Sequence, residues 1–278
     1  MSAIYLDSRM VHYELVGRRG QPIIFLHSWL GSWRYWLPTM EYVSERYRAY
    51  ALDFWGFGET LDEKGTFSVS EYVDMLLRFM DNMGMSRVVL VGHGLGGMVA
   101  VRAATEHPEL FTKLMVVSTP MQGTQLQSVV KPGAFSRLLG RSNPNNIWTK
   151  QVREMKLSDE VVQKEIIDDT EALSESVVSS VLNSILETDL SADLARLSTP
   201  LLALYGERDT LIVSDALEDE ESKTFKQVLT LPKAAHFPFL DQSTMFYRAL
   251  MDYLGSTGED AVELKNEWRR RVSQFEYI

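Results

Sequence analysis

The chain has 278 residues, 45% of them hydrophobic, and its 28 basic and 38 acidic side chains leave a formal net charge of −10. That length can bury a large core, and the acidic balance argues against nucleic acid or an anionic membrane as the main partner. The absence of cysteine excludes disulfides, thiolate metal sites and a cysteine nucleophile. Residues 1–9 carry no basic stretch followed by an apolar one. No apolar run approaches the roughly 18 residues of a membrane span, so a cytoplasmic protein with no metal or cofactor is expected.

Short apolar runs alternate with helical patterns, which predicts a mostly parallel sheet flanked by helices. Alternating polarity over residues 4–16 predicts an antiparallel hairpin. Buried strands are read at 22–26, 50–53, 87–91, 113–118, 200–205 and 224–231. Pro38 suits a first helical turn, with Met40, Val43 and Tyr47 on the apolar face. Ser68 and Glu71 form a capping box ahead of Val69, Tyr72, Val73, Leu76, Leu77 and Met80, and Gly84 ends that helix. A helix over 95–107 closes at Pro108. Asp241 is read as the cap of a last core helix carrying Met245, Phe246, Leu250 and Tyr253, stopped by Gly255.

Two segments break this rhythm. From 120 to 195 the strand signals vanish. There Val161, Val162, Ile166 and Ile167, then Leu173, Val177, Val178, Val181, Leu182, Ile185 and Leu186, fit helices with one apolar face. The segment follows a strand end on the side where such sheets bind ligands, so it reads as a lid; an insertion packing on itself is the plainer alternative. After 255, Leu264, Trp268, Val272 and Phe275 share a helical stripe beside Arg269, Arg270 and Arg271. That stripe docks on the protein's own body or forms a homodimer contact. The expected organisation is a core of 1–119 and 196–254, a helical cap of 120–195 and a C-terminal helical extension of 255–278.

Chemistry is concentrated in five motifs. Gly92-His93-Gly94-Leu95-Gly96 lies between a strand and a helix, with glycines where the backbone is too crowded for Cβ, as a nucleophile elbow requires. His27-Ser28-Trp29 follows one strand and Asp53-Phe-Trp-Gly-Phe-Gly-Glu-Thr60 follows another; Gly206-Glu-Arg-Asp209 and Ala235-His236 come late. In this order and context they resemble the α/β-hydrolase fold family, esterase- and lipase-like, over nearly the whole chain to Leu254. The resemblance implies an α/β-hydrolase fold: a mostly parallel sheet flanked by helices with an inserted helical cap. It assigns the nucleophile position to Gly94, the acid to Asp209, the base to His236 and the oxyanion N–H groups to Trp29 and Leu95.

The chain departs from the family pattern at two places. Gly94 has no atom that can attack, so an acyl-enzyme through the elbow residue is excluded; its missing side chain is expected to leave a gap of roughly one water. Ser28 stands where the family favours glycine. It is not read as a displaced nucleophile, because its backbone must turn to build the oxyanion hole and nothing in the sequence places His236 beside it. Aromatic residues cluster at strand ends, and a pocket for a small apolar organic ligand is expected from His27, Ser28, Trp33, Trp36, Trp55, His93 and Trp148.

Retention of Asp209 and His236 favours a hydrolase-like enzyme acting on a small apolar carbonyl or ester compound, with His236 as general base and no covalent nucleophile. Two alternatives stay open: a catalytically silent binding protein or receptor on the same scaffold, and a serine hydrolase whose nucleophile has been replaced.

Overall fold

Asp7 and Ser8 take positive φ values of 48° and 71°, which turn strand β1 (Ser2–Leu6) tightly onto β2 (Arg9–Val16) in antiparallel register, Leu6 against Arg9. The computed structural model describes residues 2–60, 65–129, 153, 160–212, 226–257 and 261–264. Strand β2 pairs antiparallel with β4 (Arg48–Leu52); every later pairing is parallel. The remaining strands are β3 (Pro22–Leu26), β5 (Val88–His93), β6 (Phe111–Val117), β7 (Leu201–Gly206) and β8 (Lys226–Leu231). The sheet order is β1-β2-β4-β3-β5-β6-β7-β8. Strands β3, β5 and β7 are buried along their whole length, which is why they read as continuous apolar runs rather than alternating ones.

From β3 the chain goes to β4 on one side, then returns to place β5 on the other. The crevice beyond the carboxyl ends of β3 and β5 is therefore a topological switch point, the place where such sheets bind ligands. Residues 27–29 and Gly94 both lie there.

Helix α1 (Leu37–Val43) starts with Pro38 in its first turn, after a 3₁₀ turn over Trp33–Trp36. Helix α2 (Val69–Asn82) buries Val69, Tyr72, Val73, Leu76 and Met80 as the spacing predicts. Its cap differs in one arm. Ser68 Oγ accepts from the Glu71 N–H at 3.2 Å, but the Glu71 carboxylate reaches past Ser68 to the N–H groups of Phe67 and Thr66, at 2.7 and 3.0 Å. Helix α3 (Leu95–Glu106) packs on β5 and β6, and Pro108 opens a 3₁₀ turn after it.

The described part of 120–195 is helical: α4 (Thr124–Val129), α5 (Glu160–Glu171), α6 (Glu175–Glu187) and α7 (Ser191–Arg196), with one isolated bridge between Gln122 and Asp189. Helix α6 buries Val177, Val178, Val181, Leu182 and Ile185 as expected. Val161 instead faces solvent at 67% exposure; it lies in the first turn of α5, whose inward face is Ile166 and Thr170. Trp148 lies outside the described residues.

The C-terminal elements are α8 (Pro238–Asp241) and α9 (Ser243–Gly255). Asp241 does not cap α9, whose N-cap is Gln242 with no side-chain bond. The Asp241 carboxylate turns back and accepts the Ala235 N–H at 2.7 Å. Past Gly255, Val262 is buried and exchanges two hydrogen bonds with the Gln227 side chain. Trp268, Val272 and Phe275 lie outside the described residues. Among the described residues, no helix is long and apolar enough to cross a membrane.

Candidate active site

The elbow is built by close backbone packing. Gly94 adopts φ 50° and ψ −113°, a conformation L side chains resist, and its carbonyl accepts the N–H groups of Gly97 and Met98 as α3 begins. Leu95 is the first residue of α3, so its N–H has no carbonyl a turn behind it and is aimed out of the helix start.

Two loops bring Asp209 and His236 together. After β7, the N–H groups of Glu207 and Arg208 donate to Leu231 O at 3.0 Å and Ala234 O at 2.8 Å. The loop after β8 is thereby stitched to the loop after β7. His236 Nδ1–H then donates to Asp209 Oδ2 at 2.9 Å, and Asp209 Oδ1 accepts from Leu211 and Ile212 N–H at 2.9 and 3.1 Å. Burial alone would raise the Asp209 carboxyl, but the His236 charge and hydrogen bond outweigh it and hold Asp209 at about 2. The pair is inside the protein: His236 is 7% exposed. Asp241, beside it, is pushed up to about 6, first by burial and then by the Asp209 charge.

A hydrogen-bond chain couples the three loops. The Ser28 N–H donates to the Tyr35 hydroxyl, which reaches His93 Nδ1 at 3.3 Å. His93 Nε2–H donates to the His236 carbonyl at 3.0 Å, and the two imidazoles lie 4.8 Å apart between centroids. His27 works from the other side. Its Nε2 accepts the Phe54 N–H at 2.9 Å, which leaves Nδ1 as the protonated nitrogen donating to Ser28 O at 2.8 Å. Both imidazoles are pushed below the ordinary histidine range chiefly by burial, His93 far below it with the His236 charge adding to the effect. They stay neutral, as these roles require. His27 and His93 are thus fully buried supports beneath the site rather than surface-lining residues.

The aromatic cluster divides in the same way. Trp29 is half-buried, and its indole N–H donates to Val178 O of α6 at 3.1 Å. The Trp33 ring lies 5.7 Å from that of His12. Trp36 is turned into the core, stacked on Phe239 at 4.3 Å. Trp55 carries the Arg9 guanidinium on its face at 3.7 Å.

The expected gap at Gly94 is not there. A Cβ at position 94 would overlap the Ser28 Oγ and stand 3.0 Å from the Ser28 Cβ. The Ser28 hydroxyl occupies the volume that an elbow side chain would take. Sequence reasoning saw both residues but not their contact, which depends on the path of a loop 66 residues away. The hydrogen bonds of Tyr35 to Ser28 and His93, and the place of Asp241 beside His236, also escaped it, because a buried tyrosine and a carboxylate at a helix end carry no motif.

With the geometry in place, comparison with known proteins assigns the chain. The model of the Alpha/beta hydrolase family matches residues 23–249, and the chain belongs to that family. It is 24% identical over 261 residues to the dihydrolipoyllysine-residue acetyltransferase component of the acetoin cleaving system of Cupriavidus necator, covering 90% of this chain and 68% of that protein. A pimeloyl-[acyl-carrier protein] methyl ester esterase of Shewanella woodyi is 25% identical, with 89% and 98% covered. Epoxide hydrolase 4 of Mus musculus is 34% identical, but over 114 residues, 39% of this chain and 31% of that one. A hydrolase from Pseudomonas aeruginosa has the same fold, with a TM-score of 0.78 at 18% identity, covering 92% of this chain and 98% of that chain.

Proposed function

We propose that this family member is a hydrolase-like enzyme acting on a small apolar ester or related carbonyl compound. His236 is the general base, Asp209 orients it, and the N–H groups of Trp29 and Leu95 hold the oxyanion. The observation that carries the reading is the buried 2.9 Å bond between His236 Nδ1 and Asp209 Oδ2. Asp209 fixes the tautomer, so Nε2 is the nitrogen that takes a proton. The likeness to a methyl ester esterase supports an ester as the substrate class. The elbow residue contributes no attacking atom, so the attacking hydroxyl comes from elsewhere.

The test is turnover of a panel of short aryl esters. His236→Ala and Asp209→Asn are each expected to lower kcat by about 10³-fold or more with the fold intact by circular dichroism. Turnover unaffected by His236→Ala would remove the base assignment. A second reading, a silent binder, is favoured by Gly94 itself; it would show saturable ligand binding with no His236-dependent turnover.

A further inference from the structure

The Ser28 hydroxyl stands in the elbow's own side-chain volume, although Ser28 belongs to the loop after β3. We propose that Ser28 supplies the attacking hydroxyl that position 94 lacks, forming a covalent acyl-enzyme with a carboxylic ester. The proposal rests on the His236-based reading above and names the nucleophile of that site.

Three observations converge on it. The first is steric complementarity: any side chain at position 94 would displace the Ser28 Oγ, so the glycine makes room for the serine. Against the family pattern, serine and glycine have exchanged places between the elbow and the oxyanion loop. The second is support. The Ser28 backbone is pinned by its N–H to Tyr35 and by its carbonyl, which accepts from His27 Nδ1 at 2.8 Å and from the Gly31 N–H at 3.0 Å. Its hydroxyl makes no hydrogen bond among the described residues. The backbone is held while the hydroxyl is free to rotate toward the base that must activate it. The third is the neighbourhood. Ser28 opens a turn whose central residues are Trp29 and Leu30, the latter at φ 61°, and the side chain of His93, the residue before Gly94, donates to the His236 carbonyl. The first contact answers the objection that Ser28 must itself turn; the second leaves the hydroxyl to rotate toward His236 Nε2 as the ester binds, since catalytic hydrogen bonds tighten in the substrate complex.

The chemistry balances without any further reagent. Ser28 Oγ bonds to the ester carbon as its proton passes to His236 Nε2, and the carbonyl electron pair moves onto oxygen. The N–H of Trp29 follows Ser28 just as that of Leu95 follows Gly94, and these are the two donors the proposal assigns to the oxyanion. Collapse breaks the bond to the alcohol, which leaves with the proton from His236. Water, deprotonated by His236, then cleaves the acyl-Ser28 ester and releases the acid.

The experiment uses the full chain. A fluorophosphonate probe is expected to modify the peptide containing Ser28, and Ser28→Ala to abolish labelling and lower ester turnover by about 10³-fold or more. Because the chain has no cysteine, Ser28→Cys creates a single thiol whose alkylation rate can be followed against pH without any substrate. Its half-maximal rate should fall clearly below the ordinary thiol value of about 8.5, and return toward it in the Ser28→Cys/His236→Ala double variant. The exchange variant Ser28→Gly/Gly94→Ser should move labelling to the elbow peptide. His236-dependent turnover that survives Ser28→Ala, or a thiol at position 28 that titrates normally whatever stands at 236, overturns the proposal and leaves the general base standing. Absence of His236-dependent turnover in both the parent and the exchange variant sinks the base assignment, and this proposal with it.

Discussion

Gly94 shows what one missing side chain does to its surroundings. Its φ of 50° and ψ of −113° lie where an L side chain is strained, and the same position is crowded by Ser28. Gly94→Ala should therefore cost about 2–4 kcal/mol in urea unfolding, of which about 1–3 is backbone strain and the rest displacement of Ser28. In a double-mutant cycle, Gly94→Ala placed on Ser28→Gly should recover the steric share and leave the backbone share. Equal losses in the two backgrounds would show that the Ser28 contact contributes nothing. The elbow was legible in the sequence because glycine spacing between a strand and a helix is a local signal. The Ser28 contact was not, because it is a fact about two loops meeting, and neither loop's own residues encode the other's path.

The same division holds for whole elements. Core strands could be read as continuous apolar runs and the helices of 160–187 from their spacing, since burial on one face imposes it; of the positions named in α6 only Leu186 is partly exposed. What fastens these helices to the core could not be read. Arg34, in the segment that follows β3, bonds Asp169 of α5 at 3.1 Å and Glu59 of the β4 loop through another guanidinium nitrogen at 2.6 Å. Ser32 bonds the same Asp169, and Thr170 donates to Leu30 O at 3.1 Å. One face of α5 is thus clamped to the loop that carries Ser28. Burial raises the Asp169 carboxyl, with Ser32 and Arg34 acting against that rise, so removing the cation leaves a poorly compensated cluster of acids. Arg34→Ala should cost about 2 kcal/mol and speed amide exchange selectively over Glu160–Glu171, with β3 and β5 unchanged. Uniformly faster exchange across the sheet would mean that Arg34 stabilises the fold as a whole and not the attachment of this helix.

Across the molecule as a whole, buried titrating groups oppose one another as the pH falls. His27 and His93 are held below the ordinary histidine value mainly by burial, so an unfolded chain takes up protons near 6.5 that the folded chain refuses. Their contribution to stability is present above that value and lost on acidification. Asp241 acts in the other direction. Its folded value of about 6 exceeds its ordinary 3.8, so between these limits the folded chain keeps a proton that the unfolded chain releases. Its contribution is present below about 4 and lost as the pH rises through about 6. His12, raised by its bond to Asp53 and nearby carboxylates against the effect of burial, has the same sign. Asp209, at about 2, matters only further down: its contribution holds above its ordinary 3.8 and disappears as the pH falls toward 2. Asp241→Asn keeps an acceptor for the Ala235 N–H and removes the titration. The urea midpoint of that variant should therefore drop more steeply than the parent's between pH 6 and 4, while the two profiles run parallel above pH 7. Parallel profiles through the acid window would show that the Asp241 carboxyl keeps its ordinary value, and that its turn back onto Ala235 leaves it solvated beside the His236–Asp209 pair.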